Sequence, residues 1–195
     1  CQQDHPETTN VLADSDSKSV RYWIYTPGEG SGMWDKFYNE GIMAIGWAEI
    51  GDLRAFGSKK AMKLRMKETY DPSLTYMNAA HATWQFANEI KVGDVVFVKK
   101  GRTQIIGRGI VTSEYEYLES DTSYPHRRTV NWTHKGEWPH PSGQAVLKTL
   151  TDVTPYTDYV EKLCALFTSD ADDDVEEQIV TYPTYDEAEF LKDVY

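Results

Sequence analysis

The side chains of this 195-residue chain best suited to catalysis or metal binding are five histidines (His5, His81, His126, His134, His140) and two cysteines (Cys1, Cys164). They fall into no catalytic pattern. There is no His-Glu-x-x-His, no Cys-x-x-Cys and no Cys/His ligand spacing, and no stretch sets a nucleophilic serine or cysteine beside a histidine. The loop Gly28-Glu29-Gly30-Ser31-Gly32 has the small residues with which backbone N–H groups cradle an anion, but no Gly-Lys-Ser/Thr ends it or occurs anywhere in the chain. The expectation is a binding protein with no metal, no cofactor and no enzymatic activity of its own.

What remains chemically pointed is cationic and aromatic. Lys99, Lys100, Arg102 and Arg108 lie in one stretch, 95 to 111, that contains no acid, and His126-Arg127-Arg128 forms a second basic cluster. Such groups neutralise phosphates and supply most sequence-independent affinity for nucleic acid; the competing reading is a solvated loop tip. Gly107 and Gly109 favour the former, because glycines inside a strand mark a bulge or a close approach by ligand or backbone. Six tryptophans, at 23, 34, 47, 84, 132 and 138, add π-surface that either fills a core or receives a flat ligand.

Charge separates a body from its flanks. Overall the chain carries −11, of which the stretch from Thr168 to Tyr195 holds −9 and the first nineteen residues −3, leaving the body near +1. The acidic total therefore does not argue against a nucleic-acid partner. Residues 1–19 read as a disordered segment, 20–167 as one domain and 168–195 as an acidic linker. No run of about 18 apolar residues is present, so no membrane span is expected. Two widely spaced cysteines fit a reducing cytoplasm, with Cys1 as a lipidated end the alternative.

The elements that must position these residues read as mixed α+β. Val20 to Thr26 is a strand closed by Pro27-Gly28, Met33 to Asn39 a short helix, and Gly41 to Trp47 a buried strand. Ser58 to Tyr70 is a helix with a serine cap. Met77, Ala80, Trp84, Ala87 and Ile90 recur at helical spacing before Val92-Gly93-Asp94. Two strands, 95–98 and 105–111, flank a turn containing Gly101, which is a hairpin signal. Strand character returns at 129–133, and Tyr156 to Phe167 is a last helix with Thr154 as its cap. Strands and helices do not alternate as in a doubly wound sheet, so a curved, largely antiparallel sheet is expected.

An ordered set of phrases carries a family likeness: Tyr22-Trp23-Ile24, Gly41-Ile42-Met43-Ala44-Ile45-Gly46-Trp47 with Ile50-Gly51-Asp52-Leu53, Trp84-Gln85-Phe86, Gly93-Asp94-Val95-Val96-Phe97 and Ile106-Gly107-Arg108-Gly109-Ile110-Val111. Together they resemble an EVE domain of the PUA-like group, which also holds the YTH readers. More narrowly, the chain resembles the module that precedes the AAA+ motor of bacterial McrB-like restriction proteins. The end, Tyr185 to Tyr195, is similar to the segment leading into that motor.

The resemblance implies a bent β-barrel-like sheet braced by helices, with an aromatic pocket for a modified base in DNA, flipped from a duplex or presented in a single strand. It implies a motor domain in the same parent chain and a partner nuclease, with the fragment itself monomeric; RNA, or a protein or small ligand, is the alternative partner. Trp34 and Trp47 match segments that approach the pocket, with Ser31, Asp52 and Asn78 as polar candidates beside them. Lys99, Lys100, Arg102, Arg108, Arg127 and Arg128 are the candidates for the phosphate backbone. Trp23 and Trp84 read as core, and Trp132 and Trp138 stay unassigned.

Overall fold

The computed structural model describes residues 19–168; the segment expected at 1–19, but for its last residue, and the acidic stretch after Thr168 lie outside the described residues. Seven strands form one curled sheet, and four α-helices brace it. The strands are β1 (Tyr22–Tyr25), β2 (Ile42–Ile45), β3 (Val95–Lys100), β4 (Gln104–Val111), β5 (Glu116–Tyr117), β6 (His126–Pro139) and β7 (Leu150–Asp152). Their order is β2-β6-β4-β3-β1-β7, with β5 also on β6. All pairings are antiparallel except β1 on β3, where Tyr22 faces Val95 and Tyr25 faces Val98. The expected mixed α+β, largely antiparallel architecture is what the chain adopts, as a half-barrel. No helix among the described residues is long and apolar enough to cross a membrane.

The curl has a visible cause. Strand β6 spans 14 residues, pairing β2 with its first part and β4 with the rest, and the β4–β6 ladder slips register at two places. Such irregularities bend a strand and increase its twist, which brings the two ends of the strand order toward each other. Tyr25 on β1 then reaches β2, its hydroxyl donating to the carbonyl of Ala44 at 2.5 Å and accepting from the Ala44 N–H at 3.1 Å. Burial raises the Tyr25 pKa far above that of a free phenol, so it remains a neutral donor.

The helices are α1 (Trp34–Glu40), α2 (Lys59–Thr69), α3 (Met77–Trp84) and α4 (Thr157–Ala165). Ser58 caps α2 by accepting from the Ala61 N–H, as its sequence position predicts. The periodic run after Met77 is α-helical only to Trp84 and continues as a π turn, Gln85–Glu89. One expected cap is wrong: α4 has no side-chain cap, and the Thr154 hydroxyl instead accepts from the Tyr22 N–H at 2.9 Å, tying β1 to the β7 end.

Two cores lie on opposite faces of the central strands. Val96 and Val98 of β3 face a large one with Trp23, Trp34, Phe37 and Met43, while Val95 and Phe97 face a smaller one with Tyr159 and Leu163. A strand covered on both faces reads as continuous apolar sequence, and β3 does from Val95 to Val98. Trp23 is fully buried and donates from Nε1 to Asp94 at 2.9 Å; Trp84 packs half-buried against the large core. Trp132 meets Trp34 edge-to-face at 4.8 Å, and Trp138 packs on Phe167 at 4.6 Å.

Candidate functional site

The open seam of the half-barrel, between the end of β2, the loop entering β7 and the face of α3, holds three concavities with shared walls. One of 210 Å³ is lined by Ile45, Trp47, Asn78, His81 and Leu147 to Leu150. A second, of 280 Å³, shares Ile45, Trp47 and Thr149 and reaches Gly28, Glu29 and Tyr124. A third, also of 280 Å³, shares His81, Lys148 and Leu150 and is bounded by Arg21, Gln85, Glu89 and Asp152.

Trp47 stands at the junction of the first two, and its backbone is held in an unusual state. With φ 69° and ψ 36° it occupies the left-handed region, which a bulky side chain enters only when its surroundings impose it. Those surroundings are identifiable. His126, fully buried, approaches the Trp47 carbonyl with Nε2 at 3.3 Å, while its Nδ1 lies 2.8 Å from the Tyr115 hydroxyl, which accepts from the Leu53 N–H at 3.1 Å. A carbonyl only accepts, so Nε2 bears the proton and Nδ1 accepts from Tyr115. Burial pushes the His126 pKa down, consistent with that neutral tautomer. The indole is set edge-to-face against Tyr70 at 5.4 Å and Tyr76 at 6.0 Å. Tyr76 also has a positive φ, 53°, at the residue before α3.

Of the polar candidates, Asn78 alone joins Trp47 in the cleft. It sits in the first turn of α3, exposed. Ser31 is buried and donates to the Lys99 carbonyl at 2.6 Å, fastening the glycine loop to the end of β3. Asp52 begins a short 3₁₀ turn, accepting from the Arg54 N–H at 3.0 Å and pairing with the Arg54 guanidinium at 2.6 Å; that hydrogen bond holds its carboxyl below the usual range. Trp34 is a correction. It is buried in the large core rather than lining the cleft, because Gly107 on β4 leaves space for its ring.

The cationic candidates divide the same way. Lys100 is exposed at the hairpin end, Arg102 is half-buried beside Gln144, and Arg108 is half-buried with a hydrogen bond to Thr133 at 3.2 Å. Lys99 is a correction: β3 is covered on both faces, so its side chain is buried, and burial lowers its pKa to about 8. Arg128 is another. It is 1% exposed and donates to the carbonyls of Phe86 (2.8 Å) and Ala87 (3.2 Å), acceptors that the π turn leaves free, and to that of Ser113 (3.1 Å) beyond β4. Arg127 lies alongside in sequence but is paired with Asp121 at 2.5 Å. The glycine expectation also changes: β-carbons on Gly107 and Gly109 would meet the rings of Trp34 and Trp132, so these glycines admit tryptophans.

Residues that are not pocket candidates by sequence hold the Trp47 ring or line the cleft, Tyr70 and Tyr76 the former and His81 the latter. Tyr70 and Tyr76 flank the loop between α2 and α3, and their convergence on Trp47 has no sequence period. His81 had a signal, since it follows Asn78 by three positions on one helix. The hairpin turn and the cleft belong to the same end of the molecule: the Ala145 N–H bonds the Arg102 carbonyl at 2.6 Å, and the same loop runs on to Leu147 and Thr149 in the cleft wall.

Fold and site thus define an α+β half-barrel with an aromatic-walled cleft at its seam. The chain belongs to the family described as a domain of unknown function, DUF8426, whose model matches residues 23–157. That span takes in every strand, but for Tyr22 at the start of β1, and the first three helices. No curated protein matches the chain.

Proposed function

We propose that this domain is a PUA-like reader of the EVE type that takes a modified base of DNA into the cleft beside Trp47. One observation carries the reading: a tryptophan held in the left-handed backbone region is shared by the linings of two cavities, and Asn78 lines one of them with it. Each cavity falls below the roughly 300–1,000 Å³ of sites for drug-sized ligands, a size suited to a single base.

The energetics are compatible. Extruding a base from a duplex costs a few kcal/mol, and stacking on an aromatic ring returns about 1–3 kcal/mol. Phosphate contacts from Lys100, Arg102 and Arg108 supply the remainder. A methyl group alone contributes only about 0.8 kcal/mol, so discrimination also needs polar groups that a wrong base leaves unpaired. In this reading the domain serves a McrB-like restriction ATPase, directing its motor and a partner nuclease to modified DNA.

The test is a titration with otherwise identical oligonucleotides bearing 5-methylcytosine, 5-hydroxymethylcytosine, N6-methyladenine or no modification, single- and double-stranded, with an RNA arm. Tighter binding of one modified DNA, lost in Trp47→Ala, is expected. Equal weak binding throughout overturns the reading, and preference for RNA of the same sequence moves it to an RNA-binding module.

A further inference from the structure

The wall that α3 and its π-turn extension present to the cleft has a set hydrogen-bonding polarity. Asn78 and His81, one helical turn apart, line the cavity beside Trp47, and His81 also lines the adjoining cavity together with Gln85. The ring of His81 is oriented from behind. Lys59 on α2 places Nζ 2.9 Å from His81 Nδ1. An ammonium only donates, so Nδ1 must accept, and the neutral imidazole carries its proton on Nε2. Burial and the neighbouring Lys59 charge both lower the His81 pKa, which keeps the ring neutral. No described residue accepts from that Nε2–H.

Gln85 sets the second half of the pattern. Its Nε2 donates to Glu89 at 3.3 Å, which orients the amide and leaves Oε1 a buried acceptor with no partner. The residue as a whole is 95% buried, and it borders the adjoining cavity. The wall therefore holds a fixed donor, at His81, followed by an acceptor in deficit, at Gln85, with Asn78 free to serve as either.

We infer that His81 is a specificity-determining donor of the cleft, reading an acceptor ring nitrogen that lies next to an exocyclic amino group, so that the site takes bases of the cytosine or adenine class. This rests on the base-reading function proposed above. Cytosine presents N3 beside its 4-amino group and adenine presents N1 beside its 6-amino group. Guanine and thymine carry an N–H at the corresponding ring position, which would set donor against donor at His81 Nε2. A mismatch of that kind strands two polar groups, which is how such sites reject the wrong partner.

The experiment pairs a change in the protein with a change in the base. Wild type and His81→Phe are titrated with single strands carrying 5-methylcytosine or 3-deaza-5-methylcytosine, and N6-methyladenine or its 1-deaza counterpart. In wild type, deletion of the ring nitrogen should weaken the preferred base by roughly tenfold or more, about 1.4 kcal/mol. His81→Phe should show the same loss with the intact base and no further loss with the deaza base, since both changes remove one hydrogen bond. Strands with guanine or thymine at the position should bind no better than the deaza strand.

Additive losses, or a wild type indifferent to the deaza change, overturn the role of His81. If binding remains Trp47-dependent in that case, base reading stands and only this inference fails. A wild type that binds none of the strands overturns both. Should His81→Phe not fold, the comparison of intact and deaza bases in wild type decides by itself.

Discussion

Gly107 and Trp34 are fitted to each other: a β-carbon added at Gly107 would stand 2.3 Å from Cζ2 of the Trp34 ring, well inside contact distance. The strand glycine and the helix tryptophan are one packing unit, sealed on the other side by Trp132, whose Nε1 donates to the carbonyls of Phe37 and Ile42 at 3.2 Å each. Trp34→Ala should destabilise the fold by about 3–5 kcal/mol, and Gly107→Ala by about 1–3 kcal/mol through overpacking. Urea unfolding measures both. A Trp34→Ala variant with a wild-type midpoint would show that the ring is not structural.

Trp47→Ala should behave differently. Its ring is only partly buried, so most of the fold should survive while the stacking contribution, about 1–3 kcal/mol, disappears from binding. Oligonucleotide titration followed by anisotropy, with circular dichroism to check folding, separates the two effects. Unchanged affinity would remove Trp47 from the site.

The cations should sort by exposure. Lys100→Ala and Arg102→Ala should each reduce the slope of log affinity against log salt by about 1, as phosphate contacts do. Arg128→Ala should instead lower stability by at least about 1.5–3 kcal/mol, because it abandons acceptors bonded by a charged group. A change in salt slope for Arg128→Ala, with stability intact, would contradict its burial.

Gln85→Met should stabilise the unliganded domain. It removes a buried acceptor with no partner, whose penalty is about 1–3 kcal/mol, and loses only a 3.3 Å hydrogen bond to Glu89. Thermal unfolding should show a higher midpoint; a lower one would mean that the amide is satisfied in solution.

Stability should fall on acidification through His140. This residue is 5% exposed and hydrogen-bonded to the Tyr159 hydroxyl; burial first, and the charge of Lys99 second, lower its pKa from 6.5 to about 4. Between those two values the unfolded chain binds the proton and the folded chain does not. The favourable contribution is thus intact above about pH 6.5 and is lost as pH falls toward 4, a change on the order of 2–3 kcal/mol. Denaturant titrations across that range, compared with His140→Phe, measure it. An equal pH slope in the variant would assign the effect elsewhere.

Local rules were enough for much of the fold. The serine cap of α2, the hairpin of β3 and β4, the glycine-bounded β2 and the burial of Trp23 are all legible because each depends on neighbours in sequence. The site was legible only in part. Trp47 and Asn78 are candidates by sequence, and both line the cleft. Trp34 is as good a candidate by sequence yet is core, and the sequence does not show it because the glycine that admits its ring, Gly107, lies 73 positions away, a distance over which periodicity carries nothing. Lys99 and Arg128 looked like phosphate ligands for the same reason: charge is read from composition, whereas exposure is set by what packs on top.

The sequence by itself determined the class of structure, a mixed α+β body carrying an excess of aromatic rings and a basic hairpin, since hydrophobic period, turn residues and charge are local properties. Only the tertiary structure decided which rings face a cavity and which cations face water. Register slips along β6 curl the sheet, the curl brings β2 and β7 to a common seam, and that seam sets Trp47, just past β2, against Asn78 and His81 of α3.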